Sequence, residues 1–381
     1  MDQRRVTRRA FLREGSQAAA GVVIGSALAG GRAAAQTESA IDPAQVINYN
    51  PSMAYRRLGK TGLVLSEISF GGHWRNRDGG RYWGEFAEDQ VPGDVGLNRT
   101  EVMSACMEAG INYLDITTPA ECLAYGVALR NRREQMIVGA DDYSLCPRNP
   151  DNRTVERQTL NIDECLRRLK TDYLDIWRPQ MDMGGNHTDA EVEVVVEAFQ
   201  QAHEQGKVRH LGMSSHTRNW LQHVVETFPQ FEMVIFPYTA RSKPADQGGG
   251  AEEVAAGDGG ADMTKSIFEA VRTHEVGVVT IKPFGGGSLF RQGLVFGADP
   301  SDEEDLLNAR LTLAAILENA DITATVPGMS SAAEVKNNVV ASAQRQALLT
   351  PEGREQLAAA TDRMWADLPP EYHWLREWER V

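Results

Sequence analysis

The chain has only four cysteines in 381 residues, Cys106, Cys122, Cys146 and Cys165, and none forms a CxxC pair. That spacing argues against a cysteine-held zinc or iron–sulfur site and for thiols used as small core residues. One disulfide stays open to an exported chain. Basic charge is also short: 39 Lys and Arg stand against 53 Asp and Glu, for a net charge of −14. A broad electrostatic grip on nucleic acid is therefore excluded. Beyond the N-terminus no apolar run reaches the roughly 18 to 20 residues that a membrane span needs, which excludes a polytopic membrane protein. No GxGxxG follows an early β-like run, so an open dinucleotide-binding sheet lacks its main signature. What remains, 42% hydrophobic and 24% charged residues, is an ordinary soluble composition for one large domain or two to three average ones.

The first 35 residues read as an address. Arg8 and Arg9 precede Phe11 and Leu12, a Gly/Ala-rich apolar stretch covers 18–29, and Ala33, Ala34 and Ala35 form an A-x-A-type exit before Gln36. This resembles a twin-arginine export signal. A general secretory signal or an anchor is the alternative, and the weakly hydrophobic stretch speaks against it. The expectations are removal of residues 1–35, engagement of the twin-arginine export machinery, and a periplasmic or secreted protein that crosses the membrane folded. Residues 36–54 are expected to be a flexible N-terminal segment.

From residue 55 onward, β-rich runs recur over 66–71, 112–116, 136–140, 173–177, 208–213, 233–236, 277–281 and 322–326. Several are near-continuous apolar runs, as expected of parallel strands buried on both faces. Helical patterns lie between them. Thr188 to Glu191 reads as a capping box, Ser331 to Glu334 opens a helix in the same way, and Thr154 is placed to cap a third. Eight strands with seven intervening helical segments predict one α/β domain, a (β/α)₈ TIM barrel over 55–348. Residues 349–381 are assigned to a C-terminal helix and tail. Two loop insertions are expected, an aromatic and basic one at 75–96 and a glycine-rich acidic one at 244–261.

Chemistry in such a barrel belongs at the C-terminal ends of the strands. The residues there are His73 and Trp74, Asp115, Asp141 and Asp142, Arg178 and Gln180, Ser214, Ser215 and His216, Lys282, and Gly328, Ser330 and Ser331. Asp115 ends a buried strand, where an unpaired carboxylate is costly. Lys282 could pair with Asp115, Asp141 or Asp142, or be tuned as a base. Of the two adjacent acids, Asp141 and Asp142, one is expected to face solvent. Arg178 could grip an anionic substrate group or a phosphate. His216 could orient substrate or donate a proton. His187 and His203 are expected at the surface. Glycines 285–287 read as a turn.

A family resemblance lies in these motifs. Residues 55–66 followed by 68–72, then 110–115, 173–177, 206–214, and Pro327 and Gly328 with Val335 to Asn338, resemble in order the motifs of the aldo/keto reductases, from an N-terminal β-hairpin to the last strand and helix. The resemblance implies a barrel with that hairpin, NADP or NAD as cofactor, a small-molecule carbonyl or alcohol substrate, and a catalytic set of Asp, Tyr, Lys and His. The Tyr donates a proton to the oxygen that hydride transfer leaves negative. Asp115 stands at the Asp position. The Tyr position holds Ala120, with Tyr125 the nearest phenol. The strand-3 Lys is missing, and Gln180 takes the His position. Ser214 and Ser215 stand where the nicotinamide amide is held. Ser330 replaces the basic residue that usually holds the 2′-phosphate, and Ser331 and Asn338 follow on the phosphate-facing helix.

The expected catalytic residues are therefore Asp115, Lys282, His216 and Gln180. The expected cofactor residues are Ser214, Ser215, Gly328, Ser330, Ser331 and Asn338, and His73, Trp74, Arg178 and Asp141 are expected to bind substrate. No metal is expected. Two alternatives remain open at this point. One is a non-redox barrel enzyme such as a sugar lyase, epimerase or hydrolase, in which Asp115, Asp141 and Asp142 with His73 or His216 do acid/base work or hold a divalent metal. The other is a binding protein without turnover.

Overall fold

Alternation along short strands sets the interior of the molecule. In the computed structural model, which describes residues 41–74, 86–181, 187–242, 266–291 and 301–380, Tyr113, Ile137, Ile176, Met233, Val279 and Ala324 form one buried cluster. Their immediate neighbours Leu114, Val138, Val234 and Val278 belong to a second, larger cluster packed under the helices. Successive residues of a strand point to opposite faces, so the two clusters are the inside and the outside of one sheet.

That sheet has eight strands in parallel sequential order: β3 (Phe70–Gly71), β4 (Tyr113–Ile116), β5 (Ile137–Ala140), β6 (Leu174–Trp177), β7 (Val208–Ser214), β8 (Met233–Pro237), β9 (Gly277–Ile281) and β10 (Ala324–Val326). Parallel bridges Ile68–Thr325 and Gly71–Gly328 join the two ends, and Ser69 N–H donates to Thr325 O at 3.0 Å. This is the expected (β/α)₈ barrel. An antiparallel hairpin of β1 (Tyr55–Arg57) and β2 (Val64–Ser66) precedes it. Its Leu58 and Leu65, both fully buried, join the interior cluster and plug the N-terminal end. Gly139 lies opposite Asp115 in the ladder, and the Tyr113 hydroxyl lies 2.3 Å from where a Cβ of residue 139 would stand. Only glycine leaves the barrel room for that phenol.

Around the sheet lie α1 (Gly93–Glu108), α2 (Pro119–Ala128), α3 (Val155–Leu169), α4 (Asp189–Glu204), α5 (Arg218–Thr227), α6 (Ile267–His274), α7 (Glu303–Ile316), α8 (Ala332–Ala343), α9 (Arg345–Leu348) and α10 (Pro351–Ala366). Thr188 and Glu191 form the expected capping box, and Thr154 caps α3. A further box, Thr118 with Glu121, opens α2 directly after β4 and fixes where that helix leaves the barrel rim.

Several expectations need correction. The first insertion was placed at 75–96, but Gly93 to Gly96 already form the first turn of α1. Residues 41–54, expected to be loose, are tied to the N-terminal face of the barrel. Asn48 donates to Ile111 O at 3.0 Å and Gln135 O at 2.8 Å, and Met53 is buried. All four cysteines are buried free thiols, so no disulfide forms among them. His187 is buried against the Trp220 ring, whereas His203 is exposed as expected. The export signal at 1–35 and the insertion at 244–261 lie outside the described residues. Among the described residues no helix is long and apolar enough to cross a membrane.

Candidate active site

The C-terminal ends of the strands enclose a cavity of about 460 Å³, a size that suits a small-molecule site. Its wall runs from Gly71, Gly72, His73 and Trp74 past Asp115, Arg178 and Gln180 to Ser214 and His216. It continues through Lys282, Gly286 and Gly287 to Gly328, Ser330 and Glu334. Tyr372 and Trp374, from a 3₁₀ segment over Pro370–Arg380, complete it. The barrel thus brings ten of the fourteen expected site residues to this cavity, whereas Asp141, Ser215, Ser331 and Asn338 are buried but do not line it.

An ion pair is set into the cavity wall. Arg178 Nε donates to Asp115 Oδ1 at 2.5 Å and Nη2 to Oδ2 at 2.7 Å, a two-pronged contact. The same guanidinium donates to Ile116 O at 2.7 Å and Thr117 Oγ1 at 2.9 Å, and the Tyr113 hydroxyl donates to Asp115 Oδ1 at 3.1 Å. Burial works against the charge on Arg178, but the Asp115 carboxylate overrides it and holds the guanidinium more firmly protonated than usual. Burial likewise pushes the Tyr113 phenol well up, with Asp115 adding to it. Two expectations change here. Asp115 pairs with Arg178, not with Lys282, and Arg178 is committed to this carboxylate rather than held ready for an anionic ligand.

Asp141 and Asp142 are both fully buried, so neither faces solvent. Asp142 pairs with Arg168 and accepts from Ser144 Oγ at 2.6 Å. Asp141 accepts from Asn161 Nδ2 at 2.8 Å, and from Gln180 N at 3.1 Å and Nε2 at 3.0 Å. Burial raises its carboxyl to about 6, with Arg178 and these donors opposing. Asp141 therefore positions Gln180 and does not itself line the cavity. Among the described residues no group of three or more His, Cys, Asp and Glu could hold a metal ion.

His216 stacks on Trp374 with ring centroids 4.2 Å apart. Its Nδ1 is buried without a hydrogen-bond partner. Burial lowers its pKa well below the ordinary value, and the cations Lys282 and Arg148 add to this, so the ring is neutral near pH 7. Lys282 is held at φ 60°, a left-handed conformation that costs a non-glycine residue about 1–3 kcal/mol. It turns the chain from β9 into the glycines 285–287, which form the expected turn.

At the opposite side of the cavity, Ser331 caps α8 by accepting from Glu334 N. The Glu334 carboxylate reaches back to Ser330, accepting from its N at 2.5 Å and its Oγ at 3.2 Å. Burial raises the Glu334 pKa, and the Ser330 donors oppose it. Arg99, fully buried beneath Trp74, donates to Met329 O at 2.8 Å and fixes this turn. A second pair stands across from it. His73 Nδ1 lies 2.5 Å from Glu121 Oε1, while Glu121 Oε2 accepts from Thr117 N at 2.7 Å and Thr118 N at 3.2 Å. Tyr125 does not reach the cavity: it is fully buried, donates to Gly71 O at 3.2 Å, and burial pushes its phenol up.

Sequence reasoning missed Glu121, Glu334, Tyr372 and Trp374 as site residues. Thr118 and Glu121 carry a legible capping-box spacing that could have drawn attention to the carboxylate. Nothing local in the tail signals that its aromatics return to the barrel mouth.

Comparison with known proteins agrees with this architecture. The family model described as "Aldo/keto reductase family" matches residues 97–335. An L-galactose dehydrogenase from Arabidopsis thaliana is 26% identical over 318 residues, 77% of this chain and 89% of that protein. A 6-dehydroglucose reductase from Novosphingobium aromaticivorans is 30% identical over 185 residues, 44% of this chain and 53% of that protein. Among solved structures, an aldo-keto reductase from Klebsiella pneumoniae in complex with NADPH aligns with a TM-score of 0.56 at 18% identity, over 84% of this chain and 96% of that one. With the family model covering more than half its length, this chain belongs to the aldo/keto reductases.

Proposed function

We propose that this chain is an exported oxidoreductase that uses a nicotinamide dinucleotide to interconvert the carbonyl and alcohol forms of a sugar-like substrate, with a non-standard catalytic set. Family membership supplies the reaction class, and the names of the two sugar-directed relatives support the substrate class. The arginine pair Arg8 and Arg9 ahead of Phe11 and Leu12 supports export. The observation that carries the reading is the cavity at the strand ends, with a buried ion pair in its wall and an α-helix N-terminus at its edge.

The cavity fits a dinucleotide. The orphaned His216 Nδ1 in its wall can bond an amide or hydroxyl group, and Ser214 stands beside it. Gly328 and Ser330 would hold the other end of the ligand, near the start of α8. When bound, the cofactor supplies or accepts hydride at the substrate carbon. The chain's own contribution is electrostatic. Arg178 stays paired with Asp115 in the wall, and Lys282 brings a second cation to the same cavity, where it can stabilise an oxygen that gains negative charge. Gln180, held by Asp141, orients a substrate hydroxyl. Trp74 and Trp374 offer apolar faces to a sugar ring.

Titration calorimetry of the full chain with NADH and NADPH tests the reading. Binding of at least one in the micromolar range is expected. No heat with either at millimolar concentration would remove the redox function.

A further inference from the structure

We propose that His73, held by Glu121, is the proton donor of this active site and replaces the tyrosine that the chain lacks. The inference rests on the redox reading above and adds to it the acid that the reaction requires. Ala120 stands at the family's tyrosine position, and the residue directly after it is Glu121. Its carboxylate is 1% exposed, fixed by two backbone donors at the start of α2, and in contact with the His73 ring at 2.5 Å. The backbone makes room for this pair. A Cβ on Gly72 would stand 2.3 Å from Glu121 Oε2 and 2.9 Å from Asp115 O, so a side chain at position 72 would displace the carboxylate. The His73 ring is therefore brought beside the end of β4, in the wall that also carries Asp115 and Arg178.

The other candidates are less suited. Tyr125 and Tyr113 are buried, and each is committed to a hydrogen bond away from a ligand. His216 is kept neutral by burial and by Lys282 and Arg148, and a neutral imidazole is a poor acid. His73 has a buried carboxylate behind Nδ1, the arrangement that stabilises an imidazolium and fixes which nitrogen faces outward. Among the described residues, the charged groups that face the ring's surroundings are Glu121 on α2, Asp115 on β4 and Arg178 after β6, with Lys282 after β9 and Glu334 on α8 across the cavity. Arg99 on α1 lies behind Trp74, 5.0 Å from its ring centre.

In the reducing direction, hydride from the reduced nicotinamide reaches the carbonyl carbon and forms a C–H bond. The C=O π pair moves to oxygen, which takes the proton from His73 Nε2. The products are the alcohol, the oxidised dinucleotide and a neutral imidazole still bonded through Nδ1–H to Glu121. A proton from water then restores the imidazolium. Glu121 is a positioning residue in this scheme, because it acts only through His73.

Two measurements on the full chain decide the matter. The first is NMR titration of the His73 ring without dinucleotide, assigned by its loss in His73→Gln. A midpoint that falls in Glu121→Gln is expected. A midpoint unchanged in Glu121→Gln overturns the coupling. The second is turnover. His73→Gln is expected to lower kcat by about 10²–10⁴-fold while the dinucleotide Kd stays within about threefold, and Glu121→Gln to shift the acidic-to-basic limb of the kcat profile downward in pH. A His73→Gln enzyme that binds dinucleotide and keeps its kcat overturns the proposal while leaving the redox reading intact. Failure of the wild-type chain to bind dinucleotide overturns the redox reading itself, and the apo titration still decides the His73–Glu121 pair.

Discussion

An acid at the inward end of a buried strand must find a cation or give up its charge, and Asp115 finds Arg178. The sequence marks both residues as strand-end charges but does not pair them. The pairing depends on register: Asp115 lies opposite Gly139, and Gly139 lies opposite Ile176, two residues before Arg178. The glycine in the middle strand leaves space for the Tyr113 phenol, which donates to the same carboxylate. Lys282 was the more obvious partner from the sequence because it also ends a strand, and only the ladder shows which cation Asp115 takes. Asp141 has no such bidentate partner, and its pKa of about 6 lies above the ordinary 3.8. The folded state therefore holds this proton more tightly than the unfolded chain. The associated stability is complete below about pH 4 and is lost as pH rises through about 6. About two units correspond to roughly 3 kcal/mol. Asp141→Asn cannot show this dependence. The stability of the wild type relative to that variant should thus fall by up to about 3 kcal/mol between pH 4 and pH 7, measured by urea unfolding at both pH values; a difference that does not change with pH would contradict it.

Strands and capped helices were the most legible features. The expected runs overlap all eight barrel strands because buried parallel strands write their burial directly into the sequence as apolar runs. Helix caps are equally local, which is why the Thr188–Glu191 box and the Ser331 cap were legible, although the Glu334 carboxylate reaches back to Ser330 and not to Ser331. The start of α8 also carries a specificity argument. On the proposed cofactor reading, Ser330 stands where the family resemblance puts the basic residue for the 2′-phosphate, and the Glu334 carboxylate already occupies its N–H. A second negative group is unwelcome there. Ser330→Arg should therefore shift the ratio of NADPH to NADH affinity by roughly tenfold toward NADPH, in line with one charge-assisted contact. Calorimetric Kd values for both cofactors check this, and an unchanged ratio would place the 2′-position elsewhere.

Closure of the barrel accounts for what could not be read locally. Residues from β3, β4, β7, β8, β9 and β10, with Arg178 directly after β6, meet at this cavity only because the ring joins Gly71 to Gly328. The tail is the least legible part. It returns to the mouth and lays Trp374 on His216 through contacts distant in sequence, with no periodicity to announce them. Burial is the main cause of the low His216 pKa, so Trp374→Ala should move its NMR titration midpoint up toward the ordinary value near 6.5. The same variant should weaken ligand binding about fivefold, as expected for one lost aromatic contact. A midpoint that stays put would mean that Trp374 does not shield the ring.

The anchoring of residues 41–54 beneath the hairpin has a practical side. Asn48 and Asn50 tie that stretch to the backbone at Ile111 and Glu108, ahead of β4, while Trp374 sits at the other end of the barrel axis. A purification handle or a surface linkage placed just before Ile41 would leave the entrance clear for substrate. The C-terminal segment, by contrast, carries Tyr372 and Trp374 at the doorway itself.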